Sequence, residues 1–197
     1  NDRYFFEANA GYNGSENFSP DKRFGFFPAF GIGWAVSNES WWTPLQDVVS
    51  YFKVRYTDGL VGTDAVTGRR FMYLDQMASV DGYRFGDQNN GVGGWGFSKY
   101  GANVGWSTSR KQDLGVDLKF FKDNLSLTFD VFKEHRKDIF ITRRVIPDYS
   151  GFVEMPYANL GVVDNKGFEA TLEYTQQLGK QCFLTVRGNF SWNEDKI

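Results

Sequence analysis

The sequence is poor in the residues that carry most metal and disulfide chemistry. It contains a single histidine, His135, and a single cysteine, Cys182. One cysteine excludes a disulfide within the chain, and the two residues together are too few donors for the usual zinc sites. We therefore expect no metal site and no cofactor. We expect His135 to be a solvated surface residue and Cys182 to be a small apolar packing residue.

Long apolar runs and charge of one sign are missing as well. The longest apolar stretches span only a few residues, such as 26–30, whereas a transmembrane helix needs about 20 apolar residues in a row. The formal net charge is only −2 at pH 7, and no basic stripe of the kind that binds nucleic acid is present. These absences argue against a membrane helix and against a nucleic-acid partner.

Aromatic residues and glycine are abundant, at 18% and 22 residues, against 5 prolines. This composition is typical of long strands joined by turns. Seven stretches alternate between bulky apolar and small or polar residues, which is the period of a β-strand. The predicted strands cover about 3–12, 23–37, 49–58, 106–120, 125–144, 159–174 and 182–192. The sequence thus predicts an all-β chain.

Each predicted strand has one apolar and one polar face, and two architectures explain such a pattern. In a soluble sandwich, the apolar face packs on a second sheet; in a membrane barrel, it faces lipid while the polar face lines a water-filled lumen. Strand length favours the barrel, because 106–120 spans roughly 50 Å at about 3.3 Å per residue, whereas soluble strands usually have about 5–6 residues. The predicted lipid-facing residues are Phe24, Phe26, Phe30, Ile32, Trp34, Leu114, Val116, Leu118, Leu127, Phe129, Phe168 and Leu172. The predicted lumen-facing charges are Lys53, Arg55, Asp113, Asp117, Lys119, Glu169, Glu173 and Arg187.

The connections alternate in length, as they do in outer-membrane barrels. Short turns are predicted at 121–124 and 176–180, and a short turn or helix at 38–46, where Trp41 and Trp42 would anchor at the membrane interface. The longest connection, 63–103, shows no sustained period, and we expect it to be an extracellular loop. Part of it, about 70–74, is expected to extend a hairpin above the membrane.

Three motifs resemble signatures of the TonB-dependent outer-membrane transporters, specifically the SusC/RagA-like group. They are N-x-G-x-V-x-N-x-G-x-E at 159–169, F-P-x-x-x-x-G-W at 27–34 and W-x-x-S-x-x-x-x-x-G at 106–115. A fourth stretch, 59–64, resembles that group's G-x-V-G-N-D turn, although Thr63 replaces the asparagine. The motifs follow one another along most of the chain, so their order is more specific than any one of them.

This resemblance implies a partial barrel domain over 1–197, cut from an antiparallel barrel of about 22 strands with an amino-terminal plug. The plug, the remaining strands and a secretion signal are expected to belong to a longer protein. Such a transporter imports glycan or peptide nutrients through the outer membrane of a Gram-negative, Bacteroidetes-like bacterium. It is driven by TonB, works with a SusD-type surface lipoprotein and performs no enzymatic step.

Several residues admit a second interpretation. Paired carboxylates such as Asp113 and Asp117 can serve glycoside hydrolysis, although charge on a lumen wall explains them more simply. Asp58 and Asp64 offer oxygen ligands of the kind that calcium prefers. Aromatic residues of the long loop are candidates for contact with a ligand or a partner; they are Tyr83, Trp95 and Tyr100. The alternatives for the whole chain are a soluble carbohydrate-binding β-sandwich and a passive porin or adhesin barrel.

Overall fold

The computed structural model describes residues 2–65, 70–84, 86, 91–150, 154–179 and 182–197. Within these ranges the chain is built almost entirely of strands. They are β1 Tyr4–Gly14, β2 Phe24–Ala35, β3 Val49–Thr63, β4 Gln76–Arg84, β5 Gly91–Lys99, β6 Ser107–Phe120, β7 Leu125–Thr142, β8 Tyr157–Gln177 and β9 Phe183–Lys196. Short 3₁₀ segments cover Val36–Asn38, Ser40–Leu45 and Asp148–Ser150. No helix in the described ranges is long and apolar enough to cross a membrane.

Seven strands form one antiparallel sheet in the order β1-β2-β3-β6-β7-β8-β9, and β4 pairs with β5 in a separate hairpin. Apart from that hairpin, each strand of the large sheet pairs with the next one along the chain. β1 and β9 are the two edges of the sheet in the described part of the chain. The long strands and the short turns between them give the up-and-down order that the alternation pattern predicts.

The apolar face of the large sheet is not covered by a second layer in the described ranges. Large side chains on that face stay open to the surroundings: Phe24 is 58% exposed, Phe30 45% and Leu172 49%. The opposite side, which we call the charged face, carries Arg55 and the other predicted lumen charges. A soluble sandwich would bury the bulky side, so this arrangement contradicts the sandwich alternative.

A small buried cluster lies where the longer connections meet. Phe18 and Met72 are fully buried there, and Ala102 and Val104 are nearly so. Trp106 packs edge-on against both Phe18 and Phe27, with ring centroids 5.3 and 5.2 Å apart. We call Phe18, Met72, Ala102 and Val104 the loop core; it joins the β1–β2 connection to the segments flanking the β4–β5 hairpin.

Pro28 marks a change of partner within β2. The β2–β3 ladder starts at Ala29, opposite Gly59, whereas the residues before it pair only with β1. Proline has no N–H to donate to a ladder, so the pairing with β3 ends where proline stands. The Phe27 ring fills the space over Gly62 and Gly25, where an added Cβ would collide with it.

The structure corrects two expectations. The predicted turn at 59–64 is wrong, because β3 continues through Thr63, which pairs with Ser107. The connection 63–103 contains its hairpin at β4 and β5 rather than at 70–74. The predicted short segment at 38–46 is confirmed as a 3₁₀ connection, in which Trp42 donates to the Val49 carbonyl and packs on Phe52.

Candidate functional site: the charged face of the sheet

An arginine surrounded by three carboxylates forms the centre of the charged face. The Arg55 guanidinium of β3 reaches Asp113 Oδ1 at 3.2 Å, Asp117 Oδ2 at 3.3 Å and Asp130 Oδ1 at 2.5 Å. β6 supplies two of these carboxylates and β7 the third, because the strands run in a register that sets Arg55 opposite Gly115 and Gly115 opposite Asp130. We call these four residues the Arg55 network.

Gly115 gives the arginine its space. A Cβ at this position would overlap Asp130 Oδ1 and the Arg55 guanidinium. Gly115 is the last residue of the W-x-x-S-x-x-x-x-x-G motif. Packing against Arg55 and Asp130 therefore explains why this position of the motif is a glycine. Asp130 was missing from the residues predicted for the site. It lies at the same alternation phase as Ser126 and Thr128, which is the signal that could have identified it.

The other predicted charges lie on the same face but form separate contacts. Lys53 lies over the Phe5 ring at 4.4 Å, and Lys119 is 3.8 Å from Asp123. Glu173 and Arg187 face each other at 4.0 Å across β8 and β9. Glu169 stands opposite Asp130 in the β7–β8 register. The sheet therefore gathers the predicted charges on one wall and concentrates them at Arg55.

The network is a cluster of ion pairs around one guanidinium. Each of its carboxylates is within hydrogen-bond reach of one guanidinium, which holds them as ion pairs. Thr128 also donates to Asp117 at 3.2 Å. Three carboxylates against one arginine leave a net negative charge, which suits contact with cationic or hydrogen-bond-donating groups.

A second feature of the charged face is a pocket of about 380 Å³ at the end of the sheet near the loops. Ser109 donates to Glu134 at 2.6 Å, and Arg136 holds the same carboxylate with two hydrogen bonds. Val61 and Phe140 supply apolar walls. The pocket thus combines fixed polar groups with apolar surface, the composition of a site for small organic ligands.

The aromatic candidates lie on or near the hairpin. Trp95 of β5 is 75% exposed, and Tyr100 stacks on Phe97 with ring centroids 5.4 Å apart. Tyr83 belongs to β4, but its side chain lies outside the described part of the structure. The two candidate calcium ligands, Asp58 and Asp64, bind different side chains. Arg110 donates to Asp58, and Ser15 donates to Asp64 at 2.6 Å.

The predicted lipid-facing residues all fall on the apolar face. Trp34, Leu114 and Phe129 are 38–48% exposed, and Phe26 and Ile32 more than half. Val116, Leu118, Leu127 and Phe168 are partly covered by neighbours within the same sheet. The apolar face ends in aromatic pairs: Tyr4 stacks on Trp34 at one end, and Tyr12 on Phe24 at the other.

A family model described as "TonB dependent receptor-like, beta-barrel" matches residues 1–197. The chain belongs to this family. The family consists of receptors and transporters rather than enzymes, and its fold makes the open sheet a section of a large antiparallel β-barrel. Membership also excludes the sandwich alternative on independent grounds.

Relatives of this receptor segment include TonB-dependent receptor P3 of Formosa agariphila, 30% identical over 99% of the chain, and TonB-dependent receptor SusC of Bacteroides thetaiotaomicron, 26% identical over 99%. A solved structure of the RagAB peptide importer in its open-open state superimposes with a TM-score of 0.82 over 98% of the chain at 18% identity. The chain spans only 19% of the two curated relatives and 20% of the importer chain. The predicted SusC/RagA-like resemblance is confirmed.

Proposed function

We propose that this segment forms part of the wall of an outer-membrane transporter that imports glycan or peptide nutrients with energy delivered through TonB. The observation that carries the proposal is the two-sided sheet: an uncovered apolar face on one side and the Arg55 network on the other. In a barrel of this family, the apolar face contacts lipid and the charged face lines the lumen. The 63–103 connection then lies outside the cell.

The relatives of the chain support the proposed partners. SusC and the RagAB importer support a SusD-type surface lipoprotein as the partner at the extracellular end. The loop core and the pocket of Ser109, Glu134 and Arg136 lie at the end of the sheet that this proposal assigns to the outside of the cell. We propose that the exposed Trp95 and the stacked Tyr100, with Tyr83, contact the ligand or this lipoprotein.

Uptake in cells tests the function. Bacteria carrying the full-length receptor should take up a labelled oligosaccharide or peptide, and deletion of the receptor should abolish that uptake. Collapse of the proton gradient with an ionophore should stop uptake as well, because TonB draws its energy from the inner membrane. Uptake that continues at the same rate after the ionophore would instead support a passive porin.

Cysteine labelling tests the orientation of the two faces. In a full-length receptor in which Cys182 is replaced by serine, single cysteines are placed at Thr171 and Leu172 and at Thr128 and Phe129. These are neighbours on one strand with opposite faces. A charged, water-soluble maleimide should label T171C and T128C readily and L172C and F129C at least tenfold more slowly. Equal labelling at both members of each pair contradicts the assigned faces.

A further inference from the structure

On β3 and on β6 to β9, a row of large side chains lies at the edge of the apolar face nearest the longer connections. Across the strands this row runs Tyr56, Leu114, Val131, Phe168 and Trp192, each opposite the next in register. Phe168 packs against Trp192 with ring centroids 5.9 Å apart. Aromatic residues at such an edge mark the boundary between hydrocarbon and headgroups in barrel proteins.

Two rows of mainly charged side chains continue the same face beyond that edge. The first row holds Asp58, Gln112, Lys133, Lys166 and Glu194, and the second holds Leu60, Arg110, His135, Asp164 and Lys196. We call them the basic rows. The first row lies two residues past the apolar edge, which is about 7 Å along a strand. The headgroup layer of a bilayer is about 5–8 Å deep on each side, so this row lies among the headgroups.

The carboxylates of the basic rows already have partners. Asp58 is only 7% exposed and accepts from both Arg110 and Gln112, at 2.6–3.0 Å. Asp164 is 2.7 Å from His135, and Glu194 is 3.1 Å from Lys166. Four lysine or arginine side chains face three carboxylates, so the basic rows have a net positive charge even with neutral histidine.

The three carboxylates of the basic rows pair with Arg110, His135 and Lys166. In the described ranges Lys133 and Lys196 form no ion pair, so the excess positive charge lies at these two lysines. Lys133 stands directly opposite Lys166 in the β7–β8 register, and the Lys166 ammonium lies 3.1 Å from Glu194 on β9. Like charges directly opposite each other destabilise a sheet. No carboxylate lies within 4 Å of the Lys133 ammonium in the described ranges, and the Lys166 side chain is 64% exposed. An anion placed between Lys133 and Lys166 would relieve this repulsion.

We propose that Lys133 and Lys166, supported by Arg110 and Lys196, bind the phosphate group of an anionic lipid in the outer leaflet of the membrane. The acyl chains of that lipid would lie along the apolar face beneath, over Leu114, Val131 and Phe168. The opposite end of the sheet offers no equivalent in the described ranges, because Phe120, Leu125 and Tyr174 end the apolar face there. The bound lipid fixes the height of this part of the barrel in the outer leaflet.

Thermal unfolding of the full-length receptor in zwitterionic detergent micelles tests the proposal. The probe is lipid A, a diphosphorylated glycolipid, titrated into the micelles. Each lysine near a charged membrane surface contributes about 1 kcal/mol, so loss of both should raise the half-saturating concentration of lipid A about 30-fold. The test variant is K133Q/K166Q. K122Q, in the turn at the opposite end of the sheet, is the matched control and should behave as the wild type.

Three further arms make the outcome decisive. K133R/K166R should bind as the wild type does, and lipid A without its phosphates should give a much smaller shift. The unfolding temperature of K133Q/K166Q without lipid A should stay close to that of the wild type, because the repulsion between the lysines is removed and the exposed Lys166–Glu194 pair contributes little. Unchanged affinity in K133Q/K166Q, an equal response to the dephosphorylated lipid, or an equal response to inorganic phosphate alone would overturn the proposal.

The inference depends on the membrane orientation proposed above, and the two can fail separately. If the apolar face does not contact lipid, the cysteine pairs at 171–172 and 128–129 label equally. If only the lipid site is wrong, the labelling contrast persists while the lysine substitutions leave the lipid A titration unchanged.

Discussion

At the scale of single residues, the Arg55 network is the most consequential contact on the charged face. The Arg55 side chain is 32% exposed and that of Asp130 19%, so water screens the network only in part. Removing one member of a partly buried ion-pair cluster leaves the remaining charges without compensation. The network should therefore contribute to stability more than the exposed ion pairs of the same face do.

We expect R55Q to destabilise the full-length receptor by about 1–2 kcal/mol, less than the cost at a fully buried site because the site is one-third exposed. Unfolding in detergent, followed by tryptophan fluorescence against denaturant, measures the change. R187Q is the matched control. Arg187 is 60% exposed and lies 4.0 Å from Glu173, so its loss should be close to neutral.

A double substitution separates charge from packing. In R55Q/D130N one of the three unpaired carboxylates is neutral, so part of the lost stability should return. If R55Q costs no more than R187Q, or if D130N gives no recovery in the R55Q background, the network does not stabilise the wall through charge pairing.

Arg55 shows which part of this site can be predicted from the sequence and which part cannot. Alternation alone assigns Arg55, Asp113 and Asp117 to the polar faces of their strands, because every second residue of a strand lies on the same face. The contact itself requires the register between β3 and β6, whose contacting residues lie 58 and 62 positions apart in the chain. Alternation carries no information about register. Alternation also places Asp130 on the polar face of its strand, but its contact with Arg55 depends on the register and on Gly115 leaving room for the guanidinium.

At the scale of elements, the alternation predicted the seven long strands to within a few residues at most ends. It failed where glycine interrupts the pattern. Gly93, Gly94 and Gly96 hide the period of β5, so the β4–β5 hairpin was not recognised. The end of β3 was misplaced because Gly59 and Gly62 resemble turn residues, whereas here they make room for Ala29 and for the Phe27 ring.

The connection between β2 and β3 depends on Glu39, which offers a pH test. Tyr4 donates to the Glu39 carboxylate at 2.9 Å and Trp34 donates at 3.2 Å, while Arg3 lies 3.3 Å away. The hydrogen bonds from Tyr4 and Trp34 hold the pKa of Glu39 below its ordinary value. Glu39 therefore stabilises the fold above the ordinary glutamate pKa, and this contribution is lost as the pH falls through the lowered value.

We expect E39Q to lower the unfolding temperature at pH 7 and to remove this part of the acid sensitivity. The difference in unfolding temperature between wild type and E39Q should shrink steadily as the pH falls below the ordinary glutamate range. E7Q is the control, since Glu7 lies on the other face of β1 and contacts Asn9 within its own strand. A difference that stays constant across this pH range would show that Glu39 contributes through packing alone.

Disrupting the loop core should unfold the connections locally and leave the large sheet folded. Phe18 is fully buried among Met72, Ala102 and Val104, and Phe→Ala substitutions at buried sites cost about 3–5 kcal/mol. That cost is large for so small a cluster, so F18A should open the connections while the sheet remains folded. Hydrogen exchange at Ser15 and Ala102, whose amides bond to Arg23 and Met72, should become at least tenfold faster.

Tyr149 provides the control for the loop core. Its side chain is 92% exposed in the connection between β7 and β8, so Y149A should leave exchange at Ser15 and Ala102 unchanged. Exchange in the middle of β6 should stay slow in both variants. If F18A accelerates β6 as much as the connections, the loop core is coupled to the whole sheet.

At the scale of the whole molecule, the sheet as described has two open edges and an uncovered apolar face. Unpaired edges template association with other chains, and a large apolar surface in water does the same. In the family's closed barrel, further strands pair with β1 and β9, and lipid covers the apolar face. The stability of this segment therefore depends on what surrounds it in the barrel and the membrane.

We expect the 197-residue chain, produced alone and refolded in buffer, to associate into large particles. Detergent covers faces but not edges, so micelles should reduce this association without giving a monomer. The full-length receptor, whose barrel leaves no strand edge free, should be monodisperse in the same detergent. Light scattering coupled to size-exclusion chromatography distinguishes these states. A monodisperse monomer of the chain in plain buffer would mean that the apolar face is sealed by the chain itself, which the exposure of Phe24, Phe30 and Leu172 contradicts.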